Sequence, residues 1–327
     1  MIKVAFYSYK GGAGRTTTAW NTIQRLMQIP NLRPTVEQPY VIVDADVDSA
    51  GSTFLYGGGR FLRNINNYRT IQQCAKPDNT AYTRNSLVEK MCPIGDCFGV
   101  EDKAVLLIGA KPKDPDDDTE RQDMAQNKTN VHAYLKANII EECEGTLTAK
   151  AIFFDTPSGT QTFAEWSITN SDVVVCCMRP TTQFREGTLG VLKSFIADNV
   201  NTPERTTNFI VTPTAVCYDA GQSFYGYEYP QKAWEAITEE FVPAVCDISL
   251  QEAFGQYVKL DMITTTDTIT INDKNYMVFG IPEIKRFKWK EDCLGTLQQQ
   301  NVVLNEDETI AIRRYDLLAA LIVKYHE

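Results

Sequence analysis

The stretch "YSYKGGAGRTTTAW", residues 7–20, limits the folds open to this chain more than any other part of its sequence. Three glycines within four residues follow the apolar run IKVAFY and precede a segment in which apolar residues recur at three- and four-residue steps. The run predicts a buried strand, and the spacing of Trp20, Ile23 and Met27 predicts an amphipathic helix. A glycine-rich turn at such a junction lets backbone N–H groups converge at the positive end of the helix dipole. The sequence therefore predicts a phosphate-binding loop between the first strand and the first helix.

The same alternation of apolar runs and helical spacing continues along the chain and predicts its fold class. Further runs of about five or six β-branched or aromatic residues, each bounded by turns, occupy residues 40–45, 104–109, 150–154, 172–177 and 207–212. Buried parallel strands have this composition, and amphipathic stretches such as residues 184–198 lie between several of them. The pattern predicts an α/β protein with a doubly wound, mostly parallel sheet and helices on both faces.

The 327 residues contain no internal repeat and no clear interdomain linker. We therefore expect a single domain, 1–327, with insertions at about 56–103 and 216–275. Residues 258–280 alternate with period two around an Asn-Asp-Lys-Asn turn, which predicts a β-hairpin whose second arm rejoins the sheet. Residues 56–100 are predicted to form irregular helix and loop. Residues 111–123 are predicted to form an exposed acidic loop.

Acidic residues follow two of the predicted strands. "VIVDADVDSAGST" places Asp44, Asp46 and Asp48 at alternating positions where the chain leaves a strand, and "KAIFFDTPSGT" ends its apolar run in Asp155. Closely spaced carboxylates repel one another unless cations or hydrogen-bond donors lie nearby. The carboxyl ends of the strands are where doubly wound sheets bind ligands. The alternating acids Asp44, Asp46 and Asp48 therefore favour a magnesium site, and the alternative for them taken alone is a solvated turn.

Together these segments resemble the motifs of the ParA/MinD family of P-loop ATPases. "KGGAGRT" resembles the deviant Walker A motif KGGxGKTT, "DADVD" resembles the DxD segment, and "KAIFFDTPSGT" resembles the Walker B segment with its switch. Pro180 stands where the family also has a proline after its next strand, and "YMVFGIPEIKRF" resembles its last strand. The resemblance is clear over residues 1–55 and 150–215. It implies an ATP-binding and ATP-hydrolysing switch that uses Mg²⁺ and forms a homodimer around the nucleotide.

The family resemblance also implies a role for individual residues. Lys10 would reach across a dimer interface to the partner's nucleotide, Arg15 would stand in for the loop lysine, and Asp46 would orient the attacking water. Mg²⁺ would be held by the Thr16 hydroxyl with support from Asp44 and, through water, Asp155, and the loop around Gly159 would report the γ-phosphate. The phosphates would be bound by Lys10, Gly11, Gly12, Ala13, Gly14, Arg15, Thr16 and Thr17. The adenine would lie near Thr212, Pro213 and Pro282.

The arginine at position 15 leaves two functions open. Its guanidinium keeps the positive charge and suits phosphate oxygens, but it is bulkier than an ammonium group and cannot act as a compact point charge. We expect nucleotide binding to survive. Either the chain is a switch that hydrolyses ATP, or it is a nucleotide-binding sensor or regulatory subunit with weak or no turnover. A subgroup of the family that reads KGGVGR[ST] and DxDxExPG is similar, with Asp48 and Ala50 departing from its acid and its proline. Preference between ATP and GTP stays open.

The charge of the chain restricts its partners. A net charge of −10 gives no global attraction to DNA or to acidic membranes, so such binding requires a local basic patch. "KRFKWK" at residues 285–290 is such a patch, and its candidate DNA-binding residues are Lys285, Arg286, Lys288 and Lys290. A solvated edge whose aromatic residues face the core is the alternative, and a protein cargo is the other expected partner.

The remaining sequence features indicate a cytoplasmic protein. No apolar stretch approaches the roughly 18 residues of a membrane span, and no signal-peptide pattern is present. Nine scattered cysteines suit a reducing compartment, and the Cys92/Cys97 spacing lacks a second pair that would indicate a metal site or a bridging cluster. The apolar stripe within residues 308–327 favours packing against the sheet over membrane binding, because its polar face is not lysine-rich. A single tyrosine near the end, Tyr325, differs from the tyrosine cluster of related bacterial kinases.

Overall fold

A computed structural model of the protein describes residues 1–78, 80–112, 126–202, 206–216, 255–264, 267–271, 274–278, 280–288 and 293–326. Eight strands form one sheet in the order β3-β4-β2-β5-β1-β6-β7-β8. These strands are β1 Ile2–Tyr7, β2 Tyr40–Asp44, β3 Cys92–Pro93, β4 Val105–Ile108, β5 Ala151–Asp155, β6 Val173–Met178, β7 Asn208–Pro213 and β8 Val258–Lys259. The pairs β1/β5, β2/β5, β2/β4, β6/β7 and β7/β8 are parallel. The predicted α/β fold with a mostly parallel sheet is confirmed.

Helices alternate with these strands. They are α1 Arg15–Leu26, α2 Gly58–Arg63, α3 Ile71–Cys74, α4 Arg84–Glu89, α5 Lys128–Leu135, α6 Thr162–Thr169, α7 Thr182–Asn201, α8 Asp261–Thr264, α9 Leu294–Gln299 and α10 Glu306–His326. Wider π-type turns occupy Thr53–Gly57 and Lys136–Thr146. Short 3₁₀ turns occupy Pro30–Leu32, Gly95–Phe98, Asp102–Ala104 and Lys285–Lys288. None of the helices within the described ranges combines the length and apolarity needed to cross a bilayer.

The described residues divide into two compact units. The first comprises Met1–Phe6 and Met27–Ser171, and the second comprises Tyr7–Leu26 and Asp172–Glu327. This division describes how contacts cluster, and the prediction of a single domain with two insertions stays a prediction.

In the first unit, the strand register sets the carboxyl ends of three strands side by side. Asp155 of β5 is aligned with Phe6 of β1 and with Asp44 of β2. All five residues of β2 and of β5 are buried, as expected for central parallel strands covered on both faces. The sheet therefore brings the two acids that end β2 and β5 to neighbouring positions on one edge.

In the second unit, α1 packs against the C-terminal helix α10. Arg25 of α1 makes an ion pair with Asp316 of α10. The stripe predicted from helical spacing is buried in this helix and comprises Ile312, Tyr315, Leu318, Ala319 and Ile322. Packing within the fold, rather than membrane binding, therefore accounts for this apolar face, since its members are covered by protein.

Three parts of the sequence-based description differ from the structure or fall outside it. The irregular region 56–100 contains the short strand β3, which pairs antiparallel with β4 and was not predicted because two residues carry no period. Within 258–280, β9 Asp267–Ile271 and β10 Lys274–Val278 form their own antiparallel pair, while β8 joins the main sheet. The described residues of β10 do not join that sheet, and the hairpin insertion stays a prediction. Most of 111–123 and of 216–275 lies outside the described residues.

Candidate functional site

The glycine loop joins β1 to α1 with an open backbone. Gly12 and Gly14 have φ angles of +80° and +70°, a region that side chains other than glycine rarely adopt. A Cβ atom built on Gly11, Gly12 or Gly14 would meet no heavy atom of the described residues within 4 Å. The 12-residue helix α1 starts directly afterwards, at Arg15. The loop thus combines exposed glycine backbone with the positive end of a helix, as an anion site requires.

Arg15 lies at the base of this loop and is 8% exposed. Its Nη1 donates a hydrogen bond to Oγ of the buried Ser8, at 3.3 Å. Thr17 is buried in the same turn, whereas Thr16 is half-buried. The guanidinium is therefore held partly by the loop's own serine, which restrains a side chain longer than the usual lysine.

Contacts from α7 and from the residues that directly follow β6 and β7 hold the loop. Lys10 Nζ donates to Gln183 Oε1 at 2.8 Å, and Arg179 Nε donates to the carbonyl oxygen of Gly12 at 2.8 Å. Thr214 Oγ1 donates to the carbonyl oxygen of Ala13 at 2.6 Å. Sequence reasoning missed Gln183, Arg179 and Thr214. The available signal for Arg179 and Thr214 was their position, since each lies two residues after a predicted strand, 172–177 and 207–212, at the edge where ligands bind.

Tyr9 directly precedes Lys10 of the loop and packs on α7. A Cβ atom built on Gly187 would lie 2.0 Å from the Tyr9 ring, so the ring and the helix backbone approach each other directly. The tyrosine ring therefore needs a glycine at this position of α7, because a side chain there would occupy the same space.

The first unit carries the two acids that end β2 and β5. Asp44 is fully buried, and its Oδ2 accepts hydrogen bonds from the N–H and the Oγ1 of Thr53, both at 2.7 Å. Asp155 is also buried and accepts a 2.7 Å hydrogen bond from Ser52 Oγ. Neighbouring hydroxyl groups therefore stabilise both carboxylates. The sequence alone had not identified Thr53 and Ser52 as these donors.

The electrostatics of Asp44 suit a cation. Burial, reinforced by the negative charge of Asp155, raises the pKa of Asp44 to about 7. A divalent cation would offset the repulsion between the two carboxylates, so these residues fit the group that they are predicted to support. Among the described residues, no three Asp, Glu, His or Cys side chains are grouped so as to hold a metal by themselves. The predicted set of Thr16, Asp44 and Asp155 relies on a hydroxyl and on water, and it stays a prediction.

Asp46 is engaged by its own loop. Its Oδ1 accepts from the N–H of Asp48 and of Ser49, at 3.3 and 3.2 Å, and its Oδ2 accepts from Ser49 Oγ at 2.7 Å. This loop continues into Ala50, which has a φ of +48° and donates its N–H to the Asp46 carbonyl at 2.7 Å. A proline could neither adopt that angle nor make that bond. The alanine at the position where the similar subgroup pattern DxDxExPG has a proline therefore matches the backbone of this chain.

The residues predicted near the adenine are partly brought together. Pro213 ends β7, and its carbonyl oxygen accepts from Ile281 N at 2.8 Å, directly before Pro282. Gly280, with φ +66°, makes this approach feasible because a Cβ there would lie 2.4 Å from the Pro213 oxygen. Thr212 is buried, with its hydroxyl donating to the Ile210 carbonyl at 3.3 Å. A base-binding role for these residues stays a prediction.

The basic segment is less uniform than its sequence indicates. Lys285 is exposed, but Arg286 makes an ion pair at 2.7 Å with Glu308, whose side chain is 1% exposed. Trp289 and Lys290 lie outside the described residues, as does the side chain of Lys288. Arg286 thus has a structural partner at the start of α10, which the sequence analysis did not anticipate.

No family model matches this sequence, and no curated protein matches it. Solved structures match in fold. McdA of Cyanothece in complex with ATP has 14% identity, covering 99% of this chain and 96% of that chain with a TM-score of 0.56. The cell division ATPase MinD of Pyrococcus furiosus has 16% identity, with coverages of 99% and 98% and a TM-score of 0.52. A putative plasmid partition protein of Borrelia burgdorferi bound to AMPPNP has 14% identity, with coverages of 98% and 99% and a TM-score of 0.51. The fold of this chain is that of ParA/MinD-like P-loop ATPases.

Proposed function

We propose that the chain is an Mg²⁺-dependent, ATP-binding molecular switch that dimerises around the nucleotide and positions DNA or a protein cargo. The open glycine loop carries this proposal. Its positive-φ glycines are followed at once by α1, and Arg15 adds a cation at its base. Backbone N–H groups, a helix dipole and a guanidinium together favour a phosphate chain over a singly charged or neutral ligand. The likeness in fold to ParA- and MinD-type ATPases supports ATP as that ligand.

The roles of the remaining residues follow from their chemistry. Bound Mg²⁺ would neutralise phosphate charge, and Thr16, Asp44 and Asp155 are the residues that would hold it. Asp46 would orient the attacking water, and Lys10 would contact the nucleotide of the partner subunit. Lys10 is exposed, and its ammonium group is held by Gln183 alone among the hydrogen bonds described for it. An exposed, singly held lysine can exchange that bond for a phosphate oxygen at small cost.

A second candidate is a nucleotide-binding sensor with weak or no turnover. It is favoured by Asp46, which already accepts three hydrogen bonds within its own loop. It is also favoured by Arg15, which is buried and held by Ser8. Both side chains would have to change partners to follow a reacting phosphate. Release of phosphate from MgATP at saturation distinguishes the two candidates, because the sensor binds ATP without releasing phosphate.

Sedimentation velocity tests the switch. In Mg²⁺ with ADP we expect a monomer, and with a slowly hydrolysed ATP analogue we expect a dimer. Lys10→Ala should bind the analogue and stay monomeric, because it loses only the contact to the partner's nucleotide. Lys3→Ala, which removes a lysine near the start of β1, is the matched control and should dimerise normally. A single unchanged species under both nucleotides would contradict the dimer.

Binding to duplex DNA in the ATP-analogue state tests the DNA cargo. The exposed Lys285 is the residue to change, because replacing Arg286 would leave the buried Glu308 without its ion pair and confuse binding with stability. Lys285→Glu should weaken binding at low salt, and the affinity of the unchanged protein should fall as salt rises. Absence of binding at low salt would leave a protein cargo as the proposed partner.

A further inference from the structure

Two side chains from outside the glycine loop bind consecutive carbonyl oxygens within it. Arg179 Nε donates to the Gly12 oxygen at 2.8 Å, and Thr214 Oγ1 donates to the Ala13 oxygen at 2.6 Å. The two donors differ in character, since Arg179 is exposed and charged whereas Thr214 is buried and neutral. Neither belongs to the motif that predicted the loop. What they share is that each donates to a backbone carbonyl oxygen of the loop.

Peptide geometry connects these carbonyl groups to the ligand side of the loop. In a planar trans peptide, the C=O of one residue and the N–H of the next point in opposite directions. Every peptide bond described in this chain is trans. A donor that fixes the Gly12 carbonyl therefore fixes the Ala13 N–H, and a donor that fixes the Ala13 carbonyl fixes the Gly14 N–H. Each of these N–H groups points away from the side chain that holds its peptide.

Such restraint matters at this position because the loop is rich in glycine. Gly12 and Gly14 lie at positive φ, and glycine rotates more freely than other residues, so the glycine end of each of these peptides restrains its orientation less than another residue would. A reversed peptide would present a carbonyl oxygen, which repels phosphate, in place of an N–H group. Holding the carbonyl groups from behind keeps the N–H groups available before the ligand arrives, which lowers the cost of binding.

Both donors are attached to the ends of buried strands of the sheet. Arg179 directly follows β6, which is buried throughout. Thr214 directly follows β7, and its own N–H donates to the Met178 carbonyl at the end of β6, at 2.8 Å. The two donors are thus fixed to the ends of adjacent parallel strands. A strand end is a more rigid support for an orienting contact than a loop.

We infer that Arg179 and Thr214 are positioning residues that orient the Ala13 and Gly14 N–H groups toward a bound phosphate. This inference rests on the proposed nucleotide-binding function. Neither residue needs to touch the ligand, so the effect differs from that of another phosphate-binding cation. It predicts that a neutral, buried threonine is as important for affinity as an exposed arginine.

Titration with a fluorescent ADP derivative in Mg²⁺ tests the inference. Thr214→Val keeps the shape of the side chain but removes the donor, and Thr214→Ser restores the hydroxyl. We expect Thr214→Val and Arg179→Met each to lose roughly tenfold in affinity, which corresponds to the loss of one N–H hydrogen bond to the charged phosphate. Thr214→Ser should stay within about threefold of the affinity of the unchanged protein. Arg63→Met removes an exposed arginine of α2 and controls for charge; it should bind normally. Thermal unfolding confirms that each variant is folded.

The NMR chemical shifts of amide protons provide a second readout, which should not change if Arg179 and Thr214 only stabilise the fold. In the unchanged protein, the Ala13 and Gly14 amide protons should shift downfield when MgADP is added. Thr214→Val should reduce the shift at Gly14, and Arg179→Met should reduce it at Ala13. If Thr214→Val or Arg179→Met bound ADP as tightly as the unchanged protein, this inference would be overturned, whereas the proposed function would stand. Failure of the unchanged protein to bind ADP and ATP would overturn the proposed function and this inference with it.

Discussion

The glycine loop and the acidic segment 44–53 satisfy their polar groups in opposite ways. In the loop, backbone at Gly11, Gly12 and Gly14 faces open space, and the hydrogen bonds that shape it come from behind. In the acidic segment, the carboxylate of Asp44 is buried and already accepts hydrogen bonds from Thr53, and that of Asp46 accepts from Ser49. The loop is thus prepared for a ligand, whereas the acidic segment provides its own donors.

This difference indicates where rearrangement is needed. Occupying the loop requires little movement, because its N–H groups are free of the contacts that hold its carbonyl groups. Engaging Asp46 in catalysis requires its carboxylate to share or exchange the bonds from Ser49 and Asp48. We therefore expect nucleotide binding and hydrolysis to be separable, so that changes in the two regions affect different measurements.

The largest expected effect is on hydrolysis, from Asp46→Ala. Removing the carboxylate that we propose to orient the attacking water should lower phosphate release by about 10²- to 10⁴-fold while nucleotide still binds, which should trap the ATP-bound dimer. Asp48→Asn is the matched control, because Asp48 is an exposed acid of the same loop, and it should retain turnover. Hydrolysis by Asp46→Ala at the unchanged rate would refute the catalytic role and remove the contrast between the regions.

The next effect is on stability, from Ala50→Pro. Proline cannot adopt the φ of +48° and removes the N–H that bonds to the Asp46 carbonyl, so we expect a loss of about 3 kcal/mol or more in the free energy of unfolding. Ala50→Gly should remain within about 1 kcal/mol, because relief of left-handed strain opposes the added freedom of the unfolded chain. Urea denaturation measures both. A stable Ala50→Pro variant would mean that the segment accepts the backbone of the family pattern.

In the glycine loop, Arg15→Met is expected to have a smaller effect, which is on the affinity for nucleotide. Losing the cation that we propose to contact phosphate should weaken nucleotide binding by roughly 10- to 100-fold, while stability changes little. Arg15→Lys should bind within about tenfold of the unchanged protein, since it keeps the charge. Calorimetric titration gives the affinities, and phosphate release shows whether the lysine raises turnover. Normal binding by Arg15→Met would show that the open loop does not depend on its cation.

The smallest effect concerns Gln183, the residue that holds Lys10. Gln183→Ala frees an exposed lysine and should strengthen analogue-dependent dimerisation by about threefold, the scale of a weak surface hydrogen bond. Gln183→Glu should shift the dimer equilibrium the other way, because an ion pair would retain Lys10. Sedimentation at several concentrations measures the shift. The same change in both variants would indicate that Gln183 acts on the dimer by another route.

Much of the fold was predictable because the signals are local. A buried strand has a recognisable composition within about six residues, and the apolar steps of α1 and α10 repeat every three or four residues. The strands predicted at 2–7 and 150–154 lie within a residue of β1 and β5. The two-residue β3 was missed, because so short a pairing depends on the neighbouring strand β4 and leaves no periodic trace.

Consecutive residues were enough to predict the fold class, the glycine loop and the two acids that end β2 and β5. The side chains that support them became evident only from contacts between distant parts of the chain. Gln183, Arg179 and Thr214 stand 173, 167 and 201 residues from their loop partners, and no local pattern marks such separations. Arg286 shows the same limit, because a basic run cannot reveal that one of its members pairs with a buried glutamate. Composition and period specify elements, whereas hydrogen-bond partners depend on how the strand ends meet in space.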